Sequence, residues 1–140
     1  MAFHTLEIED EYDFEIIGVS SHEKDYRLAW SLNKNLGWRL VRVADVVVEG
    51  KRSTTHHARF RWTHPVDQTV FTLIDNKTPD GNFMPDLAQF DYLLKIEQPA
   101  DLTMKKLLEG LRKTDFVLAF QTQEVDKLKF KDNLLDENRQ

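Results

Sequence analysis

TTHHARFRWT (residues 54–63) and QTVFTLID (residues 68–75) are two runs rich in β-branched and aromatic residues, and they decide the fold. The four residues between them are His64-Pro65-Val66-Asp67, and proline fits the second position of a tight turn. Strands joined by so short a turn pair in antiparallel fashion. The stretch therefore predicts a β-hairpin and, with it, an antiparallel sheet.

Further elements follow from the hydrophobic pattern on either side of this hairpin. Strand patterns recur at residues 14–19, from residue 38 to residue 48, and at residues 90–96 and 116–121. Helical spacing marks residues 21–36 and a second segment that Asp101 would cap. The order is β-α-β-β-β-β-α-β. We expect an α+β fold, a single-domain mainly antiparallel β-sheet with two helices packed on one face.

The predicted first helix has signals at both ends. Ser20 and Glu23 form the S-x-x-E pattern of a capping box, in which each side chain accepts a main-chain N–H of the first turn. Gly37 provides the C-terminal stop. The sequence therefore predicts a helix over residues 21–36 that Ser20 caps.

The composition fits one globular domain. Of the 140 residues, 41% are hydrophobic and 31% are charged, and no run of about 18 apolar residues suggests a membrane span. Cysteine is absent, which excludes disulfides, thiol nucleophiles and iron–sulfur clusters. We expect a single domain over residues 1–140, with an ordered core of about 12–122 and frayed termini. Carboxylates precede any apolar segment at the N-terminus, so we expect no secretory signal and a cytoplasmic location.

Charge is segregated along the chain. The net charge is −5, yet residues 51–64 contain no acid. Strand alternation there places His57, Arg59 and Arg61 on one face and the aromatic residues on the other. Together with Lys51 and Arg52, this face is a candidate contact for RNA or an acidic partner, and the alternative is the solvated face of an amphipathic strand.

Catalytic and metal-binding templates are missing. The five histidines lack helical H-x-x-x-H spacing, and the five glycines are dispersed singly, so we expect no metal and no cofactor. Asp86 and Asp91 lie near Tyr92 and could hold two carboxylates in one pocket for acid–base chemistry. The alternative is that they form capping and turn hydrogen bonds.

The stretch Met84-Pro85-Asp86-Leu87-Ala88-Gln89-Phe90-Asp91-Tyr92 resembles the motif of the IPExxxVDY family, small bacterial proteins mainly of Bacteroidetes. Pro85, Asp91 and Tyr92 are identical to the motif, whereas Met84 replaces Ile, Asp86 replaces Glu and Phe90 replaces Val. The residues FEIIG (14–18) and SSHEKDYRL (20–28) resemble the strand-to-helix opening of the family. The resemblance implies a bacterial protein of this size and no established activity.

Strand alternation in the motif predicts a partner for Asp91. Phe90, Tyr92, Leu94 and Ile96 would face the core, so Asp91 would point the other way between large apolar neighbours. Four side chains could pair with it: Arg27, Arg39, Arg42 and His22. We therefore expect the segment 20–27 to meet the segment 85–92.

Three classes of function remain open. Charge segregation without a catalytic template favours a non-enzymatic protein-interaction module or small adaptor, which binds another protein or associates with itself. The second class is an RNA-associated accessory protein that uses the basic hairpin. The third is an enzyme or small-ligand binder around His22, Asp86, Asp91 and Tyr92, which predicts a concave pocket with perturbed titration. The candidate motif site as a whole comprises Ser20, His22, Arg27, Pro85, Asp86, Asp91 and Tyr92.

Overall fold

The structure is a computed structural model that describes residues 13–137, and the main sheet follows the predicted order of elements. The strands are β1 (Phe14–Ser20), β2 (Val41–Glu49), β3 (Thr54–Thr63), β4 (Val70–Asp75), β5 (Lys77–Thr78), β6 (Gly81–Asn82), β7 (Tyr92–Glu97) and β8 (Ala119–Gln123). The helices are α1 (Asp25–Leu36), α2 (Asp101–Leu111) and α3 (Lys131–Asp136). The α+β prediction is confirmed. The short β5–β6 hairpin lies in a segment that the sequence analysis left without a strand.

Six strands form one antiparallel sheet in the order β2-β3-β4-β7-β1-β8. The predicted β3–β4 hairpin is confirmed, with Arg61 opposite Thr72 and Trp62 opposite Phe71. Its turn closes through a 2.9 Å bond from the His64 N–H to the Thr69 carbonyl. The consecutive strands β2, β3 and β4 lie side by side, whereas β1 pairs with β7 and β8, which are distant in sequence.

Both long helices cover the same sheet face, as predicted. Leu28 and Leu32 of α1 and Leu107 and Leu111 of α2 pack there in a first core. The strands contribute buried apolar side chains to this core: Ile17, Val19, Phe60, Phe71, Leu73, Tyr92, Leu94 and Ile96. Among the described residues, no helix is long and apolar enough to cross a membrane.

The opposite sheet face is also covered, which the sequence did not predict. A second core there gathers Phe14, Ile16, Val46, Ile74, Phe83, Met84, Leu87, Phe90, Leu93, Val125, Leu128 and Leu134. The last three come from the segment after β8, where we expected a frayed end. That expectation is wrong for residues up to 137, because these three apolar side chains are buried. The expected fraying of residues 1–12 lies outside the described residues.

The predicted capping box does not form. Ser20 is the last residue of β1, and its carbonyl accepts the Leu118 N–H at 2.9 Å. The helix begins at Asp25 instead, and Lys24 occupies the N-cap without a side-chain bond. Glu23 forms an ion pair with Arg27 at 2.7 Å rather than reaching back to Ser20. The C-terminal prediction is confirmed, since Gly37 has a left-handed conformation with φ 72°.

Candidate functional site

A cleft of about 390 Å³ opens where the motif meets the strand-to-helix corner. Its walls come from the corner after β1, from the end of β4 and from the start of β7. The lining includes Ser21, His22, Asp25, Asp75, Lys77, Asp91 and Tyr92. A concave surface thus lies at three of the four residues expected for a ligand pocket: His22, Asp91 and Tyr92.

Asp91 joins the two segments that we expected to meet. Its Oδ2 accepts the Ser21 N–H at 2.9 Å, and its Oδ1 lies 3.3 Å from the Lys77 Nζ. The predicted contact between segments 20–27 and 85–92 is confirmed. The charged partner, however, is Lys77 rather than any of the four expected: Arg27, Arg39, Arg42 and His22. Two of those arginines pair close by in sequence instead, with Glu23 and Asp45.

Tyr92 adds a second link between the same segments. Its hydroxyl donates to the Glu23 carbonyl at 2.6 Å, while its ring packs in the first core. Burial raises the pKa of the Tyr92 phenol, and the nearby carboxylates of Asp75 and Asp25 raise it further. The phenol therefore remains a hydrogen-bond donor that fixes the corner before α1.

Asp75 is the titrating group of the cleft, and sequence analysis missed it. The pKa of Asp75 is raised to about 6, mainly by burial and further by Asp25 and Asp91, while the bond from the Lys77 N–H acts in the opposite direction. The available signal was its position as the last residue of a strand directly before a loop. A carboxyl group with a pKa near 6 exchanges protons at near-neutral pH.

Asp86 lies apart from this chemistry. It belongs to a single turn of 3-10 helix, Pro85–Leu87, that starts at a proline. Its Oδ2 accepts the Lys129 N–H at 2.7 Å, which ties the motif to the C-terminal segment. Asp86 is not among the residues that line the cleft, so the two motif carboxylates do not meet there.

Asn76 organises the motif loop from inside the second core, and no local pattern marked it. Its Nδ2 donates to the carbonyls of Leu87 at 3.0 Å and Phe90 at 2.9 Å. Its Oδ1 accepts the Met84 N–H at 2.8 Å. The side chain is completely buried, so these bonds satisfy main-chain groups that water does not reach.

Phe90 packs on a different face from the one predicted. Because β7 begins only at Tyr92, Phe90 lies outside the strand alternation and enters the second core, while Tyr92, Leu94 and Ile96 face the first. Its ring lies against Gly18, where an added Cβ would come within 2.4 Å of ring carbons. Glycine at position 18 is therefore required by this contact.

The basic strand face is covered rather than solvated. His57 is completely buried and Arg59 is 2% exposed, so neither is accessible for the expected RNA or acidic-partner contact. Arg59 and Arg61 both pair with Glu137 from the C-terminal segment. His57, Arg59 and Arg61 do share one face of β3, as strand alternation predicted, but the C-terminal segment covers that face. Lys51 and Arg52 are exposed, and their contact with RNA stays a prediction.

His57 sits among main-chain and hydroxyl partners. Its ring nitrogens lie 2.8 Å from the Thr55 Oγ1 and 3.0 Å from the Asp75 carbonyl. Burial lowers the pKa of His57, although the Asp75 carbonyl and Asp45 act in the opposite direction. A buried imidazole that stays neutral carries no charge to attract an anionic ligand, so His57 has a structural place beside the second core.

β8 has a free edge within the part of the chain that the structure describes. It pairs only with β1, and its sequence AFQTQ carries no charge. The Val19 carbonyl accepts the Asp91 N–H, so alternate residues of β1, including Gly18, face β8. Gly18 lies opposite Gln121. The N–H of the next residue, Thr122, therefore points away from β1.

Within residues 13–137, no group of three or more His, Asp or Glu side chains is arranged to hold a metal ion. Comparison with protein-family models, curated proteins and solved structures finds no match to this chain.

Proposed function

We propose that this chain is a non-enzymatic protein-interaction module of the bacterial cytoplasm. It accepts an extended segment of a partner protein, or of a second copy, along the free edge of β8. The observation that carries this proposal is an uncharged edge strand whose outward N–H and C=O groups have no strand partner in the described structure. Such an edge is a template for strand addition.

The contrast with the other edge of the sheet supports this assignment. Proteins usually protect edge strands with charges, prolines or bulges. β2 carries Arg42, Asp45 and Glu49, and its pairing with β3 is interrupted by a bulge between Val43 and Val46. β8 has none of these protections. An exposed apolar side chain, Leu118 at 60%, lies directly before it.

The engagement of the motif side chains also favours a non-enzymatic role. Asp91 and Tyr92 bind main-chain groups of the corner between β1 and α1, and Asp86 binds the Lys129 N–H. The same corner contains Ser20, whose carbonyl holds the chain just before β8. The bonds of Asp91 and Tyr92 thus fix the corner from which the Ser20 carbonyl holds the start of the edge strand, whereas Asp86 is bonded to the C-terminal segment.

The test compares two substitutions at one exposed position. Thr122→Pro removes the outward N–H without removing a bond to β1, whereas Thr122→Ala shortens the side chain and keeps the N–H. Each tagged full-length chain is used for a pull-down at low salt after ribonuclease treatment, and sedimentation measures self-association. We expect the wild type and Thr122→Ala to retain the same partner or dimer, and Thr122→Pro to lose it while its circular dichroism is unchanged.

Two results would contradict the proposal. One is a partner that Thr122→Pro retains at the wild-type level, which would place the contact elsewhere. The other is recovery that disappears with ribonuclease, which would favour the RNA-associated class and make Lys51 and Arg52 the residues to substitute.

The cleft supports a second candidate, a binder of small polar ligands. Four carboxylates and two lysines line it, namely Glu23, Asp25, Asp75 and Asp91 with Lys24 and Lys77, so a ligand with an amine would be favoured. A thermal-shift screen of small amines on the wild type and Asp75→Asn would test it. The candidate requires an amine that stabilises the wild type and has a weaker effect on the variant. Equal shifts in both proteins would exclude a role for Asp75.

Membership of the IPExxxVDY family stays a prediction. Asp91 and Tyr92, which are identical to the motif, hold the strand-to-helix corner in place. A family defined by these residues would share that corner.

A further inference from the structure

Three cations converge on one carboxylate under the C-terminal segment. Arg59 and Arg61 of β3 and Lys95 of β7 all pair with Glu137, the Lys95 Nζ lying 3.1 Å from its Oε1. Arg61 is opposite Thr72 and Thr72 is opposite Lys95, so these three residues form one row across the sheet. The Thr72 hydroxyl accepts the Arg61 Nε–H at 3.0 Å. Two guanidinium groups and an ammonium group thus surround the Glu137 carboxylate, and the Thr72 hydroxyl lies beside one of them.

The ion pairs of Glu137 with Arg59, Arg61 and Lys95 leave positive charge in excess. Arg59 is 2% exposed, and Lys95 and Glu137 are completely buried, while the Arg61 side chain is 27% exposed. The one carboxylate leaves an excess of two positive charges among these four side chains. Burial of unbalanced charge is costly, and residues selected only for packing would be apolar here. Such an arrangement is typical of an anion site.

We propose that Arg59, Arg61, Lys95 and Thr72 form a binding site for a phosphate group, and that Glu137 occupies it as a displaceable internal substitute. A phosphate group has three or more oxygens and up to two negative charges, against two oxygens and one charge for Glu137. Planar guanidinium groups bind phosphate in a bidentate manner, and lysine adds a point charge. A phosphate dianion would therefore balance this cluster better than the carboxylate does.

The segment that carries Glu137 is suited to displacement. α3 has only six residues and no side-chain cap at its start, and so short a helix has little stability of its own. Its attachments include Leu134 in the second core with Leu135 packed against it, a 2.8 Å bond from the Asn133 Nδ2 to the Phe83 carbonyl, and the bonds that Lys95 and Arg59 donate to the main-chain carbonyls of Leu134 and Glu137. The partly exposed Arg61 marks the side from which an anion would enter.

The test uses the full-length chain with Glu137→Gln, which removes the competing charge and preserves the size of the side chain. Inorganic phosphate is titrated at constant ionic strength, with binding followed by calorimetry and by the melting temperature. We expect the variant to bind phosphate about tenfold more tightly than the wild type, because the internal competitor is weakened. Adding Arg61→Gln to the variant should abolish the binding. Adding Arg42→Gln, at an exposed arginine of β2, should leave it unchanged.

A second arm distinguishes the source of the phosphate group. N-acetyl-phosphoserine amide is titrated beside inorganic phosphate. Tighter binding of the phosphoserine compound assigns the site to a phosphorylated protein segment, and tighter binding of inorganic phosphate assigns it to the free anion.

Equal phosphate binding by the wild type and Glu137→Gln would overturn the proposal, as would binding that survives Arg61→Gln. If Glu137→Gln does not fold in chloride, phosphate should restore its folding where chloride of equal ionic strength does not. Failure of phosphate to restore folding would equally overturn it, because Glu137 would then be a fixed part of the fold.

Discussion

The carboxylate of Asp91 accepts the main-chain N–H of Ser21 at 2.9 Å, across 70 positions of sequence. This bond fastens the start of β7 to the turn between β1 and α1, and the bond from the Tyr92 hydroxyl to the Glu23 carbonyl repeats the link. The motif is therefore a clamp between two parts of the chain that the sheet brings together. Substitutions of Asp91 can therefore show separately how much its hydrogen-bond acceptor and its negative charge contribute to stability.

Asp91→Ala removes both the hydrogen-bond acceptor for Ser21 and the ion pair with Lys77. The buried Ser21 N–H loses its acceptor, so we expect the free energy of unfolding to fall by about 1–3 kcal/mol in urea titrations. Asp91→Asn keeps an oxygen for Ser21 and loses only the partly exposed ion pair with Lys77, so it should cost less, about 1 kcal/mol or below. Asp80→Asn, on the exposed turn between β5 and β6, is the control and should have no measurable effect. Equal losses for the two Asp91 variants would show that the acceptor has no special part.

Asn76→Ala tests the internal support of the motif loop. The change leaves the Phe90 carbonyl and the Met84 N–H without the Asn76 side chain as partner, while the Leu87 carbonyl keeps the Phe90 N–H at 3.0 Å, and we expect a loss of about 3 kcal/mol. Asn35→Ala, at an exposed position of α1, removes the bonds from its Nδ2 to the Ser31 carbonyl and the Ser31 Oγ, and should cost about 0.5 kcal/mol or less because water can replace the amide. Both are measured by urea unfolding. A loss at Asn76 as small as that at Asn35 would mean that water replaces the amide in the variant.

Sequence reasoning succeeded where the determining interactions are local. The β3–β4 hairpin follows from alternation and from Pro65, and the end of α1 follows from Gly37. Sequence reasoning failed where a residue with a local signal pairs instead with a segment distant in sequence. Ser20 has the local signature of a helix cap, yet pairing with β8 makes it a strand residue whose carbonyl binds Leu118.

The covered basic face has the same explanation. Alternation correctly placed Arg59 and Arg61 on one side of β3, but no local pattern shows which side is exposed to solvent. That depends on Leu128, Leu134 and Glu137, which lie in a stretch where charged residues outnumber apolar ones. Asn76 was missed for a related reason, since its partners are 8 to 14 residues away in an irregular loop.

Gly18→Ala should be destabilising through a single contact. The new methyl group would meet the Phe90 ring at 2.4 Å, and overpacking of this kind costs about 1–3 kcal/mol. The double variant with Phe90→Leu gives the Cβ more room, so the two losses should not add in a double-mutant cycle. Additive losses would indicate that strain in β1, and not the ring, causes the effect of the alanine.

Asp75 predicts a stability difference that depends on pH. Its ordinary pKa of 3.8 is raised to about 6 in the folded state. Below pH 3.8 the group is protonated in both states; between the two values only the unfolded chain releases the proton, so this carboxyl increasingly disfavours folding as the pH rises. Because Asn resembles the protonated acid, Asp75→Asn should match the wild type near pH 3.8 and become more stable by about 1–2 kcal/mol above pH 6.

The wild type must be compared with Asp75→Asn because His57 makes the free energy of unfolding change with pH in the opposite direction. Its pKa is lowered by burial, so its contribution to stability is lost as the pH falls through its ordinary value of 6.5. That contribution is common to the wild type and Asp75→Asn, and it cancels in the difference between their free energies of unfolding. Urea titrations at intervals from pH 4 to pH 8 give this difference directly. A difference that is constant over the whole range would show that Asp75 titrates in the folded protein as it does in the unfolded chain, and the cleft would then have no buried carboxyl group.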